Sequence, residues 1–227
     1  MPAKNSIKIY VKNGYYHIYN RGVEKRVVYQ DIQDYKVFLG YLREYLSKPD
    51  ENSKKDMVFF TLQGQTFKGI KRSPKNYFNE IELIAYCLMP NHFHLLLKQN
   101  QPHSLEKFMK SLTSRYSIYF NKKYDRQGSL FQGRYRGVLV NDEPYLLHLS
   151  RYIHLNPSEF TKDLVSAYSS YADYLGLKRT PWLKPNFILD QFNTKVGIEF
   201  KKINSYKDFV EKYKQEDRLI LGNLSID

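Results

Sequence analysis

Residues 86–97 read Tyr86-Cys87-Leu88-Met89-Pro90-Asn91-His92-Phe93-His94-Leu95-Leu96-Leu97. A His-hydrophobe-His triplet sits here inside an apolar, β-prone run. Side chains alternate across a strand, so His92 and His94 project from one face while Phe93 points to the other. Two imidazoles held side by side on a stiff strand make half of a metal site, and the bulky residue between them anchors the pair to a core. Just upstream, residues 81–88 form a second apolar run. Met89-Pro90-Asn91 between the two runs reads as a tight antiparallel connection.

Working outward, residues 7–20 alternate and are β-rich (Ile7, Ile9, Val11, then Tyr16 and Ile18), broken by Asn13-Gly14 and ending at Asn20-Arg21-Gly22. They read as strand, turn, strand. Residues 31–47 place Ile32, Tyr35, Phe38, Leu39, Leu42 and Leu46 at a helical period, with Asp31 as the cap. Residues 47–80 include an insertion, in which 57–62 are β-like and a basic Gly/Ser/Pro segment follows. A helix is expected over 104–122, then a Gly/Arg-rich loop from Gly128 to Gly137 and a short strand to Val140. Asp142 should cap a helix over 143–155 that Pro157 stops. Further helices are expected over 162–175, ending at Gly176, and near 205–215.

The order β-α-β-β-α-β followed by helices predicts an α+β fold, a ferredoxin-like antiparallel sheet covered on one face by two helices. The C-terminal helices then fall on the open face, the one carrying the histidines. Residues 1–175 read as one domain and 176–227 as an extension of unknown role.

The chain carries 36 basic against 23 acidic residues, a formal net charge of +13, which favours a polyanionic partner, nucleic acid before anionic membrane. Its 21 Tyr and 14 Phe, interleaved with Lys and Arg, suit single-stranded nucleic acid, because bases stack on rings while cations track phosphates. Most of the Phe residues read simply as core. The single cysteine, Cys87, excludes an intrachain disulfide and a multi-cysteine zinc site, and fits a reducing compartment. With no signal-peptide run and no long apolar segment, a soluble cytoplasmic protein is expected, without a membrane partner.

The helix 143–155 shows an apolar stripe, Leu146, Leu149 and Ile153, and a second stripe of Tyr145, His148, Tyr152 and Asn156. On the residues alone, Tyr116, Tyr119, Tyr145 and Tyr152 are near-equal candidates for a nucleophilic phenol. His17 reads as a structural histidine with satisfied bonds, although the first strand could bring it to the site. His103 reads as structural, and His154 as a surface or packing residue. Between 107 and 136 eight basic residues, among them Arg115, Lys122, Lys123, Arg134 and Arg136, face one acid, Asp125. That run suits a DNA backbone, with Arg134 and Arg136 as the leading phosphate contacts and Arg21 a further one.

Four blocks together, Tyr16 to Gly22, Tyr86 to Leu97, Gly128 to Tyr135 and Leu149 to Pro157, resemble the single-tyrosine HUH transposases, and among them the REP-associated tyrosine transposases. The resemblance spans roughly residues 14–175. It implies a DNA strand-cleaving and strand-joining enzyme acting on single-stranded or hairpin DNA, as a monomer or homodimer. It implies that Tyr152 is the nucleophile, and that His92, His94 and Asn156 ligate a divalent cation, Mg²⁺ or Mn²⁺. A different class, a non-catalytic DNA- or RNA-binding descendant of such an enzyme, would tend to lose Tyr152 or a histidine, and this chain keeps them.

Overall fold

The computed structural model describes residues 9–50, 57–70, 75–193 and 205–212. The elements, in chain order, are β1 Gly14–Arg21, α1 Ile32–Leu46, β2 Met57–Leu62, β3 Gln65–Ile70, β4 Ile81–Met89, β5 His92–Gln99, α2 Ser104–Lys123, β6 Arg136–Val140, α3 Glu143–Leu155, α4 Tyr171–Tyr174, α5 Asn186–Asn193 and α6 Tyr206–Lys212. Four strands form one sheet in the order β4-β5-β1-β6, and all three pairings are antiparallel. With the separate β2–β3 hairpin set aside, this is the ferredoxin-like βαββαβ arrangement.

Strand alternation sorts the two faces. Phe93 of β5 meets Phe38 of α1, with ring centroids 5.4 Å apart, so odd positions of β5 face α1 and α2. His94 meets Tyr152 of α3, so even positions face the C-terminal helices. Both faces are therefore covered, and β5 is buried almost throughout, as a central strand between two layers should be. Helix α1 begins with a full capping box: the Asp31 side chain accepts from the Asp34 amide, and Asp34 reaches back to the Asp31 amide.

Several expectations need correction. Residues 9–13 are not a strand; Val11 instead folds against the end of β1, its amide donating to Tyr16 Oη at 2.7 Å and its carbonyl accepting from Gln99 at 2.8 Å. Ile7 lies outside the described residues. Asp142 sits at the N-cap of α3 without a side-chain cap; α3 itself spans the expected 143–155 and ends before Pro157, after which the chain continues as a 3₁₀ turn, Asn156–Glu159. The helix expected over 162–175 shrinks to the four residues of α4. Local side-chain bonds compete it away: Asp163 Oδ1 accepts from the Val165 and Ser166 amides, and Ser170 Oγ accepts from the Tyr86 amide. The segment becomes a strap on the exposed edge of β4, with Ser169 bridged to Cys87 and the Leu88 amide donating to Tyr168. In the helix expected near 205–215, the described part is α6, and 213–215 lie outside the described residues. The insertion holds a two-stranded hairpin whose Phe59 and Leu62 are exposed.

Candidate active site

Antiparallel register builds the site. Arg21 pairs with His92 and Tyr19 with His94 across β1 and β5, while Tyr19 also pairs with Arg136 across β1 and β6. Directly paired residues share a face, so His17, Tyr19, Arg21, His92, His94 and Arg136 all stand on the side covered by α3. The His92 and His94 rings lie 5.1 Å apart. His17, diagonal to His94, brings its Nε2 to 2.9 Å from His94 Nδ1. Tyr152, from α3, stands edge-on to both, with centroids 5.5 Å from His94 and 6.2 Å from His17.

His17 is therefore not a satisfied structural histidine. It is buried inside the cluster, and its Nδ1 has no hydrogen-bond partner among the described residues. The signal available in the sequence was its place on the same strand parity as Tyr19 and Arg21; what the sequence did not give was the pairing register that brings it to His94. Burial lowers the His17 pKa to about 3. Burial, reinforced by the neighbouring His17 and His92, also pushes His94 well below its ordinary value. Both rings are thus neutral near pH 7, the form in which imidazole donates a lone pair.

The four candidate tyrosines separate cleanly. Tyr116 lies on the α1/α2 side, donating to the Val28 carbonyl at 2.5 Å, and Tyr119 donates to Asp34. Tyr145 sits beside Tyr19 and Tyr152, with its buried hydroxyl unpartnered among the described residues and its pKa raised by burial. Of the four, Tyr152 is the one whose ring contacts the histidines. The helical stripe splits, because His148 turns to Phe209 of α6 at 5.5 Å. His154 is a packing residue, buried between Tyr206 and Ser170 at 2.7 Å each. Asn156 donates its Nδ2 to the Tyr152 carbonyl at 2.7 Å, which ties it to its own helix one turn after that tyrosine. His103 begins α2 with a left-handed backbone and no side-chain cap.

The predicted cations also divide. Arg21 and Arg136 stand on the histidine face. Arg21 lies next to the loop after α2, donating to Gln132 at 3.3 Å. The turn after β1 closes tightly because residue 22 is glycine: a Cβ there would lie 2.2 Å from the Arg26 carbonyl oxygen. Arg134 lines a groove of about 480 Å³ between α2 and residues 128–135, together with Lys110, Tyr10 and Tyr135. Lys122 is exposed at the end of α2. Arg115 and Lys123 are committed within the fold. Arg115 makes a two-pronged bond to Glu44 at 2.8 and 2.9 Å and stacks 3.9 Å over Tyr41, while Lys123 bridges Asp31 and Asp34. The anions that pair with these two come from α1 and its cap.

Among the described residues no three His, Cys, Asp or Glu side chains converge as a metal cage. The donor set is instead two imidazoles beside an amide-bearing helix. His92 Nδ1 lies 2.6 Å from Asn91 Oδ1, an atom that can only accept, so this ring carries its proton on Nδ1 and its lone pair on Nε2. His94 Nε2 is buried and has no protein partner among the described residues. An orphaned nitrogen of this kind fits a cation.

Residues 60–156 match a family described as "Transposase IS200 like", a span containing His92, His94, Tyr152 and Asn156. No curated protein matches the sequence. Among solved structures, one titled as a REP-associated tyrosine transposase bound to a REP hairpin is similar at 11% identity and a TM-score of 0.49, covering 78% of this chain and 95% of that one. A putative transposase from Deinococcus radiodurans R1 is similar at 18% identity and a TM-score of 0.36, covering 67% of this chain and 95% of that one.

Proposed function

We propose, from the IS200-like transposase segment at residues 60–156, that this protein is a metal-dependent DNA transposase that cleaves and rejoins single-stranded or hairpin DNA through a tyrosine nucleophile. The observation that carries the reading is the placement of Tyr152, edge-on to His94 with centroids 5.5 Å apart, on a helix covering the histidine face. A phenol beside two lone-pair imidazoles suits covalent phosphoryl transfer.

His92, His94 and Asn156 would hold Mg²⁺ or Mn²⁺, imidazole and amide oxygen leaving room for water and phosphate. A bound cation of this kind neutralises phosphodiester charge and favours in-line displacement. Tyr152 Oη attacks phosphorus and the bond to the 3′-oxygen breaks. The 3′-oxygen leaves as a hydroxyl on the upstream fragment, taking up one proton as the phenol loses one, and the phosphate stays joined to Tyr152 and to the 5′-oxygen of the downstream fragment. Attack by a 3′-hydroxyl on that ester reverses the step, joining strands and restoring the phenol without external energy. Arg21 and Arg136, on the same face, would contact the flanking phosphates, with Arg134 and Lys122 as further contacts.

The test is incubation with labelled single-stranded and hairpin oligonucleotides from the flanks of its gene, with and without Mn²⁺. A covalent protein–DNA adduct should form with Mn²⁺ and disappear in Tyr152→Phe. Adduct that persists in Tyr152→Phe but vanishes in Tyr145→Phe would move the nucleophile, and full activity in excess chelator would refute the metal assignment.

A further inference from the structure

The two histidines of β5 treat their Nδ1 atoms alike. His92 Nδ1 is engaged by Asn91 Oδ1 at 2.6 Å, and His94 Nδ1 by His17 Nε2 at 2.9 Å. In the first pair the direction is forced, because an amide oxygen can only accept. In the second pair either ring can be the donor, and the two choices have opposite consequences. If His17 donates, His94 carries its proton on Nε2. That atom is buried without a partner among the described residues, and with a proton on it the ring could not bind a cation there. Either choice leaves one unpaired N–H, on His94 Nε2 or on His17 Nδ1, so the capacity to hold a cation and not hydrogen-bond satisfaction distinguishes the two. If His94 donates, Nε2 becomes a lone pair, matching its neighbour His92.

We propose that His17 is a positioning residue that accepts the Nδ1–H of His94 and thereby holds His94 in the tautomer whose Nε2 is a metal-ligating lone pair. This rests on the metal reading of the site above. The geometry is built for it. Register places His17 opposite Leu96, one diagonal step from His94, and the two rings lie within 17° of parallel with centroids 5.1 Å apart. A near-coplanar, nitrogen-to-nitrogen approach fixes ring orientation as well as protonation. Metal-bound histidines commonly donate their other N–H to a neighbouring acceptor, which orients the ring and raises its basicity. In this site the acceptor for His92 is a loop amide and the acceptor for His94 is a second imidazole. His17 itself does not touch the cation or the phosphate in this scheme; its Nδ1 keeps the remaining proton.

The experiment uses the full chain and two variants that pull the roles of His17 apart. His17→Phe keeps a flat ring but removes the acceptor; His17→Gln removes the ring but keeps an acceptor oxygen. Mn²⁺ alone is titrated and bound metal is followed by the loss of the free-ion paramagnetic resonance signal, with thermal midpoints recorded beside it. A 10- to 100-fold loss of Mn²⁺ affinity is expected in His17→Phe and recovery to within about threefold of the original in His17→Gln. A role in packing alone predicts the reverse order, and that order would overturn the proposal. Nitrogen-15 correlation of the metal-free, unsubstituted protein reads the tautomer directly: His94 protonated on Nδ1 supports the inference, and protonation on Nε2 overturns it whatever the variants do. His94→Ala separates the two readings. If the unsubstituted protein binds no Mn²⁺, or His94→Ala binds it undiminished, the metal reading fails and takes this one with it. Binding that is lost in His94→Ala yet unchanged in His17→Phe overturns the role of His17 alone.

Discussion

On the α1/α2 side of the sheet, the buried Asp34 carboxylate accepts from Lys123, Tyr119, Tyr124 and the Gln30 amide, and the Tyr116 hydroxyl finds the Val28 carbonyl. On the α3 side of the same sheet, His17 Nδ1, His94 Nε2 and the Tyr145 hydroxyl are buried without hydrogen-bond partners among the described residues. Both sides are rich in tyrosine. The contrast lies in how many buried polar atoms are paired. On the α1/α2 side the Tyr29 hydroxyl is the one such unpaired atom among the described residues. Leaving a buried polar atom unpaired costs roughly 1–3 kcal/mol, so the greater number of them falls where the proposed cation and phosphate would sit.

The largest expected break in this comparison is chemical. Tyr152→Phe should leave the fold and DNA binding in place, since the ring keeps its edge-on contacts, while reducing covalent adduct below detection. Tyr145→Phe removes an orphaned hydroxyl from the same neighbourhood and should keep the adduct. Electrophoresis of denatured protein after reaction with labelled oligonucleotide reads both, and equal loss in the two variants would contradict the distinction drawn between these phenols.

The converse break is structural and falls on the satisfied face. Asp34→Ala strips five donors, the Asp31 amide included, of one acceptor and should cost on the order of 3 kcal/mol in urea unfolding. The acid limb adds a second reading. Burial raises the Asp34 pKa, but hydrogen bonds from Lys123, Tyr124, the Gln30 amide and Tyr119 outweigh it and hold the carboxyl below its usual 3.8. A depressed carboxyl stabilises the folded state fully above the unfolded value and loses that contribution as pH falls through the folded one. Stability should therefore decline more steeply below about pH 4 in the unsubstituted protein than in Asp34→Ala. Parallel acid limbs would show that the network contributes nothing to folding.

A smaller effect tests how the histidine face is held in place. Helix α6 locks onto α3 through Tyr206, whose hydroxyl meets His154 at 2.7 Å and Ser150 at 3.0 Å, and through Arg151, which donates to the Phe209 carbonyl at 2.8 Å. Tyr206→Phe should cost about 1–2 kcal/mol by unpairing His154 inside the core. The readout is the thermal midpoint, which should fall without loss of cooperativity. No change would mean that His154 and Ser150 pair with each other or with water once the phenol is gone.

Much of this was legible in the sequence because it is local. The parity of His92, Phe93 and His94, the helical period of 104–122 and the Asp31 cap each depend on residues within a turn or a strand of one another. What was not legible depends on distant partners. The anions of Arg115 and Lys123 sit on α1, at Glu44, Asp31 and Asp34, and a charge run read along one helix gives no sign of them. His17 meets His94 only through the β1–β5 register. The apolar spacing of 162–175 suggested a helix, but Asp163, Ser166 and Ser170 bond to nearby or facing backbone instead and lay the segment along β4. Periodicity records which side chains could be buried together, and short polar side chains decide whether the backbone complies.

The division between the two sides of the sheet also sets the mildest prediction, which concerns DNA affinity. Arg136 lies on the histidine face beside Tyr19, and Arg115 lies across the sheet, clamped to Glu44 and stacked on Tyr41. A cation that neutralises a phosphate releases a counterion when DNA binds, so its removal should lower the slope of log affinity against log salt by about one unit. Arg115 is held by Glu44 on the side of the sheet away from the histidines. Arg136→Ala, on the histidine face, should accordingly weaken oligonucleotide binding at low salt and flatten its salt dependence, whereas Arg115→Ala should lower stability and leave that slope alone. Fluorescence anisotropy across a salt series reads the slope, and an equal loss in the two variants would mean that α2 and not α3 faces the DNA.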